Sequence, residues 1–417
     1  MQVNIRRWVK ELKKQKDEPV CAYMHDLPSL ESHIKSMASI LPQKTRLFYA
    51  IKANPDPKIL ETLLPHVDGF EVASLGELQR VRHVSAEIPV LFGGPGKKEY
   101  ELEQALQTGI SYIHVESLLE LQKLIHVATR MDIDTNILLR VNLHDHTLPV
   151  TNVTMAGKPS PFGMDEWNIE EALAILQDSE NTHVHFQGFH FHSLSNNMHA
   201  DRHMEMILLY MEKVEEWKQK FNVEVRVVNV GGGFGVSYDD KPSFDWERFT
   251  TLFKRSGMHH RLGKTKLFFE PGRYIVADCA YYAAEVIDLK PSMNQNFAIL
   301  RGGTHHQRLP ASWGHDHPFS IISIDDQQWK YDFERPGINN GSVTLVGELC
   351  SPKDRFHSEA KIKQLRVGDI VVFEKSGAYS WTISHHDFLG HPYPDFLYKE
   401  EGMKDEPSTV SLTSNER

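Results

Sequence analysis

The chain has 417 residues, of which 40% are hydrophobic and 24% are charged, with a formal net charge of −10 and a sequence pI near 6.2. This length exceeds what a single hydrophobic core usually supports, so we expect two domains. The acidic balance argues against a general nucleic-acid binder or a membrane-surface binder, and no apolar run is long enough to span a bilayer.

The first 25 residues predict a charged helix followed by a short strand. Arg6, Arg7 and Trp8 begin a stretch in which charged and apolar residues are mixed, which favours a helix over an export signal. Residues 20–24 predict a strand, and we expect it to join a β domain that forms later in the chain.

From residue 26 to residue 278, short apolar strands alternate with amphipathic helices. This alternation predicts parallel strands with crossover helices, and a strand count near eight favours a closed (β/α)8 TIM-like barrel over an open sheet. The predicted strands are 46–50, 69–72, 90–92, 112–115, 136–142, 185–190, 226–230 and 266–269. The predicted helices are 57–64, 75–84, 100–107, 118–129, 166–177, 204–221 and 246–254.

Residues 279–400 have a different pattern, in which strands follow one another without long helices. This pattern predicts a second, all-β domain. Its predicted strands are 281–289, 296–300, 319–324, 343–349 and 370–373. Residues 401–417 are polar and lack a regular hydrophobic pattern, so we expect a disordered tail.

Lys52 follows the first predicted barrel strand and is flanked by small and apolar residues. A lysine in such a position is partly desolvated, which favours the neutral amine that can attack a carbonyl carbon. A solvated surface charge is the ordinary alternative at a strand end. The neighbouring strand ends bear on this choice, because in a (β/α) barrel they converge on one mouth.

Three other strand ends carry residues that suit one ligand. The glycines from Gly231 to Gly235 can wrap a phosphate with backbone N–H groups, although a tight turn without a ligand is an equal alternative. Arg273 can neutralise the same anion, and Glu270 can hold an aromatic nitrogen protonated or simply pair with Arg273. His192 can stack on a flat ligand or be an ordinary barrel histidine. An amine, a phosphate loop, a carboxylate and a ring together match the needs of pyridoxal 5′-phosphate, PLP.

Seven motifs occur in the order known from one enzyme family: YAIKAN, GFEVASLGE, GFHFHS, VGGGFG, EPGR, GELCSPKD and GAY. They resemble the fold type III PLP-dependent decarboxylases, which include the ornithine, arginine and diaminopimelate decarboxylases. Since they span nearly the whole chain, the resemblance implies a PLP-binding barrel and a C-terminal β domain. The stretches FGGPGK, LRGGTHHQRLP and SHHDFLGHPYPDF resemble the branch of staphyloferrin B-like siderophore biosynthesis, which decarboxylates a citryl-diaminopropionate intermediate.

The resemblance also implies roles for individual residues. Lys52 would form the Schiff base with PLP, His192 would stack on its ring, and Glu270 would pair with its pyridine nitrogen. Cys350 would be the acid near the substrate carbon. The remaining implied contacts are the phosphate ligands Ser195, Gly232, Gly233, Arg273 and Tyr379, the cofactor-edge residues Glu71 and Arg140, and the substrate-binding residues Arg308 and Asp354. In relatives the cysteine segment comes from the second subunit, which implies a homodimer with shared active sites.

Two departures from the family pattern bear on these roles. Diaminopimelate decarboxylases usually carry a glutamate after the cysteine, whereas Cys350 is followed by Ser351. The usual serine-glycine of the phosphate segment is replaced around Ser195, which makes this residue a weaker candidate than the glycines. A diaminopimelate or ornithine type of decarboxylase, an amino-acid racemase on the same fold and a non-catalytic binder remain alternatives.

The sequence offers few signs of a metal or disulfide framework. The histidine-rich spots 144–146, 315–317 and 385–387 are expected by chance in a chain with 24 histidines, and residues so close on one loop rarely complete a metal site without further ligands. The three cysteines are widely spaced, which favours a reducing compartment, and we expect the cytoplasm.

Overall fold

The structure is a computed structural model and describes residues 3–144, 159–178, 180–325 and 329–399. The described residues form two compact units. The barrel unit holds residues 32–237 and 242–275, and the β unit holds the residues before 32, residues 238–241 and the residues from 276 onward. The predicted tail, residues 401–417, lies outside the described residues.

The chain begins with a helix, a strand and a second helix: α1 (Val3–Lys14), β1 (Cys21–Asp26) and α2 (Leu27–Ser39). Sequence reasoning missed α2, although two signals for it are present. Pro28 lies in its first turn, and its buried residues Leu30, Ile34 and Met37 have helical spacing.

The described residues of the barrel unit form nine parallel strands, of which eight make a closed ring. The ring runs in the order β2, β3, β4, β5, β6, β8, β9 and β10, and β10 pairs with β2. The predicted (β/α)8 barrel is therefore confirmed, and the short β7 only extends the edge of β6. The strands are β2 (Thr45–Ala50), β3 (Gly69–Val72), β4 (Val90–Phe92), β5 (Tyr112–Val115), β6 (Thr135–Asn142), β7 (Met164–Asp165), β8 (Val184–His190), β9 (Val227–Asn229) and β10 (Lys266–Phe269).

Helices follow the barrel strands, and capped helix starts define the end of several strand-end loops. The side chains of Ser74, Ser117 and Asp245 each accept a backbone N–H at the start of a helix, which satisfies a donor that the helix leaves open. The helices are α3 (Pro57–Leu63), α4 (Leu75–Val84), α5 (Glu99–Gln107), α6 (Leu118–Met131), α7 (Ile169–Gln177), α8 (Ala200–Phe221), α9 (Trp246–Arg255), α10 (Met258–Arg261) and α11 (Arg273–Val276).

Side chains from several strands fill part of the barrel. Phe48 and Phe268 pack with ring centroids 4.8 Å apart, and they share a buried cluster with Leu91, Leu138 and Val227. Each large apolar side chain buried in this way stabilises the fold by about 2 kcal/mol.

The β unit contains a mixed sheet in which β12 and β14 run parallel and the pairs of β11 with β12 and β16 are antiparallel. The N-terminal strand β1 joins this sheet, pairing with β11 and β17. The elements are β11 (Ala280–Ser292), β12 (Gln295–Leu300), α12 (Leu309–Trp313), β13 (Phe319–Ile322), β14 (Gly337–Val346), β15 (Arg355–Arg366), β16 (Ile370–Phe373) and β17 (Asp395–Lys399).

Sequence reasoning missed β15 and β17 and extended two strands too far, since the predicted strand 319–324 ends at Ile322. The predicted strand 343–349 ends at Val346, because the chain then turns into a loop closed by a hydrogen bond from Gly347 N to the Asp354 carbonyl, 3.1 Å. β15 was missed because most of its outward side chains are charged, although Phe356 and Ile362 are buried. Among the described residues, no helix has the length and apolar character needed to cross a bilayer.

Candidate active site

Lys52 lies in a 3₁₀ turn, Ile51–Ala53, directly after β2. Ile51 and Ala53 are buried, which anchors the backbone on both sides of the lysine. The Lys52 amine is 3.1 Å from Glu71 Oε2 at the neighbouring end of β3, and the Lys52 side chain is 43% exposed while Glu71 is 5% exposed. Burial raises the pKa of Glu71, and the Lys52 charge opposes that shift. The pair thus joins an accessible amine to a buried proton acceptor.

Glu270 directly follows β10 and is buried on the same side of the barrel. Its Oε1 accepts a hydrogen bond of 2.6 Å from the Asn229 amide, and its Oε2 lies 3.4 Å from His190 Nε2. The Glu270 backbone N–H donates to the Gly231 carbonyl, 2.8 Å. A buried carboxylate held in this way is suited to pair with a cationic nitrogen of a ligand.

Asn229, the last residue of β9, is the residue that sequence reasoning missed. It is fully buried, and its Oδ1 accepts from Gly231 N at 2.9 Å. This bond fixes the amide orientation, so the amide NH₂ faces Glu270 and also lies 3.3 Å from His114 Nε2. The Asn229 amide N–H donates to Glu270 Oε1. Asn229 therefore connects the carboxylate to the glycine-rich loop.

His114 and His190 form a buried stack beside Glu270, with ring centroids 4.0 Å apart and ring planes 24° apart. Burial lowers the pKa of both histidines well below the usual value, and their mutual proximity lowers that of His114 further. Both rings are therefore neutral at pH 7. Apart from the 3.4 Å approach of Glu270 Oε2, neither nitrogen of His190 has a hydrogen-bond partner among the described residues, and buried polar atoms of this kind are usually satisfied by a ligand or water.

The glycine-rich loop after β9 has no room for side chains. A Cβ on Gly232 would lie 2.2 Å from the Glu270 carbonyl oxygen, and one on Gly233 would lie 2.4 Å from the Leu194 carbonyl oxygen. Gly233 also has a φ of 87°, which a side chain disfavours. The backbone of this loop can therefore approach a ligand closely, as phosphate binding requires.

A second loop, which follows β8, lies against the glycine-rich loop. Asn197 N donates to the Gly233 carbonyl, and Gly235 N donates back to the Asn197 carbonyl. Gly232 N donates to His192 Nδ1 at 3.2 Å, so the neutral His192 ring carries its proton on Nε2. Burial lowers the pKa of His192 well below its usual value. The half-buried Ser195 lies within this loop, next to the glycines named with it as phosphate ligands.

Two arginines, Arg140 and Arg273, are the remaining predicted cofactor-binding residues of the barrel unit. Arg140, in β6, is paired with Glu116 at 2.7 Å, and Glu116 also accepts the backbone N–H groups of Gly94 and Gly163. Arg273 is buried at the start of α11, immediately after the loop that carries Glu270. The barrel unit thus brings together Lys52, Glu71, Glu270, Arg273 and the glycine-rich loop at the carboxyl ends of its strands.

The other predicted site residues lie on the β unit. Cys350 is an exposed free thiol in the loop between β14 and β15. Asp354 is buried at the end of this loop and accepts the backbone N–H groups of Thr304 at 2.6 Å and Leu349 at 2.9 Å, so it shapes the loop. Tyr379 has a φ of 53°, an uncommon value for a residue other than glycine. Arg308 is exposed and precedes α12.

One group of side chains in the barrel has the spacing of a metal site. The ligand atoms of His114, His190 and Glu270 lie within 4.8 Å of one another. The two rings are stacked, however, so their lone pairs lie in two nearly parallel planes, which is unfavourable for binding one ion, and Glu270 already accepts a hydrogen bond from Asn229. Of the predicted histidine spots, 144–146 lies partly outside the described residues.

The described residues fit PLP as the resident group. The barrel offers an amine for the aldehyde, a loop that a phosphate can approach, a fixed carboxylate for the pyridine nitrogen, and a neutral ring at His192. The unpartnered nitrogens of His190 next to Glu270 indicate where polar ligand atoms belong.

Comparisons with known proteins agree with this geometry. A family model described as pyridoxal-dependent decarboxylase, pyridoxal binding domain, matches residues 27–277. The curated 2-((L-alanin-3-ylcarbamoyl)methyl)-2-hydroxybutanedioate decarboxylase of Staphylococcus aureus is 42% identical over 399 residues, which cover 95% of this chain and 98% of the relative. A decarboxylase of an L-glutamyl acyl-carrier protein from Niallia circulans is 30% identical and covers 91% of this chain and 89% of the relative.

Solved structures show the same fold. The diaminopimelate decarboxylase of Helicobacter pylori, complexed with L-lysine, has a TM-score of 0.81 at 24% identity and covers 95% of each chain. The lysine/ornithine decarboxylase of Vibrio vulnificus, complexed with putrescine, has a TM-score of 0.76 at 20% identity and covers 96% of this chain and 99% of that one. Both pair a barrel with a β domain.

Proposed function

Because this chain belongs to the pyridoxal-dependent decarboxylase family, we propose that it decarboxylates a citryl-diaminopropionate-type amino acid in staphyloferrin B-like siderophore biosynthesis. The chain is a PLP-dependent carboxy-lyase. The observation that carries the substrate assignment is the relative of 42% identity over 95% of the chain, whose name specifies an alanine joined through an amide to a hydroxybutanedioate.

The residues of the barrel unit divide the work of the reaction. PLP, when bound, supplies an electron sink for the electron pair left on the α-carbon as carbon dioxide departs. Lys52 holds the cofactor through its amine, and Glu71 at 3.1 Å accepts and returns the proton of that amine. Glu270, fixed by Asn229, holds a proton at the pyridine nitrogen and so increases the electron demand of the ring.

The phosphate is proposed to bind at the paired loops after β8 and β9. Gly232 and Gly233 allow close backbone approach, and Ser195 and Arg273 supply a hydroxyl and a positive charge. Tyr379 is the ligand proposed from the β unit. The neutral His192 is proposed to stack on the ring, where a neutral face avoids repelling a protonated pyridine.

Cys350 is proposed to protonate the substrate carbon from a second copy of the chain in a homodimer. An exposed thiol in a loop shaped by Asp354 suits this role, because it is accessible while its backbone is held. Asp354 would then affect substrate binding indirectly, by holding the loop that carries Cys350.

Coexpression of two inactive variants tests this arrangement. If Lys52→Ala and Cys350→Ala chains form mixed dimers with one intact site each, a mixture recovers about a quarter of wild-type activity. Sites built from one chain alone would leave the mixture inactive, which would remove the shared-site proposal. Cys279→Ala, at a buried cysteine away from this loop, is the control for cysteine loss.

A substrate panel tests the function itself. Purified protein loaded with PLP is incubated with citryl-diaminopropionate, diaminopimelate and ornithine, and carbon dioxide release is measured. We expect release from the citryl compound and at most slow release from the other two. Preferred release from diaminopimelate would overturn the substrate proposal, and loss of chirality at the α-carbon without carbon dioxide would indicate a racemase. A cytoplasmic location stays a prediction that rests on the odd number and wide spacing of the three cysteines.

A further inference from the structure

Two ion pairs lie at neighbouring strand ends of the barrel unit. The Lys52 amine is 3.1 Å from Glu71 Oε2, and Arg140 Nη1 is 2.7 Å from Glu116 Oε1. Lys52 is partly exposed, whereas Glu71, Arg140 and Glu116 are largely buried. Two cations and two carboxylates thus share this region, and a different pairing, Arg140 with Glu71, competes with the observed one.

The segment after β4 lies between the two carboxylates. A Cβ on Gly93 would lie 3.2 Å from Glu71 Oε1, and the N–H of the next residue, Gly94, donates to Glu116 Oε1 at 2.8 Å. Burial raises the pKa of Glu71, and nearby positive charges, including that of Arg140, oppose this rise. Arg140 is therefore close enough to act on Glu71, while its guanidinium donates to Glu116.

Backbone N–H groups fix the Glu116 carboxylate in place. Its Oε1 accepts from Gly94 as well as from Arg140, and its Oε2 accepts from the N–H of Gly163 at 3.0 Å. The N–H of Glu116 itself donates to Glu120 Oε2, also at 3.0 Å. The position of this carboxylate therefore does not depend on Arg140 alone.

A second buried pair supports the backbone around Glu116. The Lys97 amine donates to Glu120 Oε1 at 2.6 Å. It also donates to the carbonyl oxygens of Gly94 at 2.6 Å and His114 at 2.8 Å, so all three of its N–H groups are used. Since the other oxygen of Glu120 accepts from Glu116 N, this pair holds the chain after β4 and the end of β5 next to each other.

Arg140 is held by Glu116 and by an aromatic ring. The guanidinium carbon lies 5.2 Å from the centroid of the Phe162 ring, a distance at which a cation is attracted to the ring face. Phe162 directly precedes Gly163, whose N–H is bound by Glu116. Glu116 thus acts on Arg140 directly and also through the segment that carries Phe162.

An arginine without this carboxylate would pair with another buried one. A guanidinium can bind a carboxylate through two parallel N–H groups, whereas an ammonium is a compact point charge that water solvates strongly, so arginine is the better partner in a buried site. Glu71 is buried, and the Arg140 charge already acts on it. A bond between Arg140 and Glu71 would take the proton acceptor away from Lys52.

We propose that Glu116 is a positioning residue that keeps Arg140 away from Glu71, so that Glu71 remains the partner of Lys52. This inference rests on the proposed roles of Lys52 and Glu71 in the reaction. It adds a residue that acts on the cofactor amine only through Arg140.

The other titratable groups at these strand ends leave the direction of the effect unchanged. Three buried histidines are neutral at pH 7, because burial lowers their pKa well below its usual value. They are His114, His190 and His192. Glu270 and Lys97 each have a partner of their own. Burial raises the pKa of Glu77 to about 7, but Glu77 is the same in every variant compared below.

The pH dependence of the visible absorbance of the PLP-loaded protein tests this inference. Its midpoint reports the pKa of the cofactor imine at Lys52, and a carboxylate beside the imine favours the protonated form. Glu116→Gln should release Arg140 to Glu71 and lower this midpoint by about one pH unit. Glu116→Asp keeps the charge and should stay within about 0.3 unit of wild type. An unchanged or raised midpoint in a folded Glu116→Gln protein would overturn the inference.

An Arg140→Gln background separates positioning from a direct effect of the Glu116 charge. If Glu116 acts through Arg140, the double variant Glu116→Gln/Arg140→Gln should match Arg140→Gln alone within about 0.3 unit. A direct effect of the Glu116 charge would persist in this background, and a midpoint lower by about one unit would overturn the inference. This comparison does not require a folded Glu116→Gln single variant.

Glu103→Gln is the control, because it breaks an exposed ion pair with Arg130. It should leave the midpoint unchanged, and thermal melting checks that each variant is folded. A wild-type protein that binds PLP without any imine absorbance would overturn the proposed role of Lys52. A normal absorbance that does not respond to Glu116→Gln would overturn the positioning role alone.

Discussion

The strand ends of the barrel and the two loops of the β unit that carry Arg308 and His385 differ in how their charged groups are paired. In the barrel, Lys52 pairs with Glu71, and Asn229 uses both ends of its amide on Glu270 and Gly231. In the β unit, Arg308 Nη1 lies 3.4 Å from His385 Nδ1 and has no carboxylate partner among the described residues.

This contrast teaches what kind of ligand each region is built for. Groups that are already held in place by the protein suit a resident cofactor, because preorganised charges need no rearrangement when the reaction occurs. Groups left without partners suit a ligand that enters and leaves, because the ligand itself supplies the missing contacts. The barrel end therefore suits the resident cofactor of the proposed reaction.

The largest expected effect is at the barrel end. Lys52→Ala removes the amine that holds PLP, so kcat should fall on the order of 10³-fold or more, and the visible absorbance of the cofactor imine should vanish. The measurement is carbon dioxide release together with an absorbance spectrum. Lys58→Ala, at an exposed lysine of α3, is the control and should retain both signals. A Lys52→Ala enzyme that stays active and yellow would contradict the proposed role of Lys52 in holding PLP.

A smaller effect is expected at Asn229, which tests whether the fixed contacts of the barrel matter. Asn229→Ala leaves Glu270 and Gly231 without their shared partner, so PLP affinity and kcat should each fall about tenfold. Asn229→Asp keeps an acceptor for Gly231 but places a second carboxylate beside Glu270. This variant should bind PLP nearly as well as wild type and lose kcat below a raised apparent pKa.

Equilibrium titration with PLP and the pH profile of kcat separate these outcomes at Asn229. A purely structural role would lower thermal stability in both variants and leave the pH profile in place. Wild-type PLP affinity and spectrum in Asn229→Ala would contradict the proposed clamp.

The smallest expected effect is a loss of folding stability in acid, caused by buried histidines of the β unit. Burial lowers the pKa of His305 to about 4 and that of His317 to about 3, below the ordinary value of 6.5. The unfolded chain therefore binds more protons than the folded chain between pH 6.5 and 4, so stability falls as pH falls through this window. The loss is about 1.4 kcal/mol per histidine for each pH unit below 6.5.

Thermal melting of the wild-type protein at pH 7 and pH 5.5 measures this loss. Equal melting temperatures at both pH values would contradict the assignment of neutral buried histidines.

Much of the barrel end was predictable because its signals are local. Lys52, Glu270 and Gly232 each stand directly after an apolar strand, and parallel strands of a closed barrel must deliver their ends to one face. Asn229 was not predictable in the same way. A single asparagine at a strand end has many ordinary roles, and its partner Glu270 lies 41 residues further along the chain.

The contact between Arg308 and His385 in the β unit was harder still to predict. Histidine pairs at 305–306 and 385–386 look like chance in a histidine-rich chain, and only the fold brings Arg308 next to His385. Strand β15 was missed for a different reason. Its many exposed charged residues obscure the hydrophobic pattern of the buried ones. Long-range partners and surface-facing strands depend on tertiary packing, which local patterns do not encode.

Borohydride reduction of the PLP-loaded enzyme, followed by peptide mass spectrometry, tests the central claim most directly. Reduction fixes the bond between cofactor and amine, so the account predicts one modified peptide that carries the pyridoxyl phosphate mass on Lys52. A label on another lysine, or no label in a protein that still releases carbon dioxide, would contradict the account.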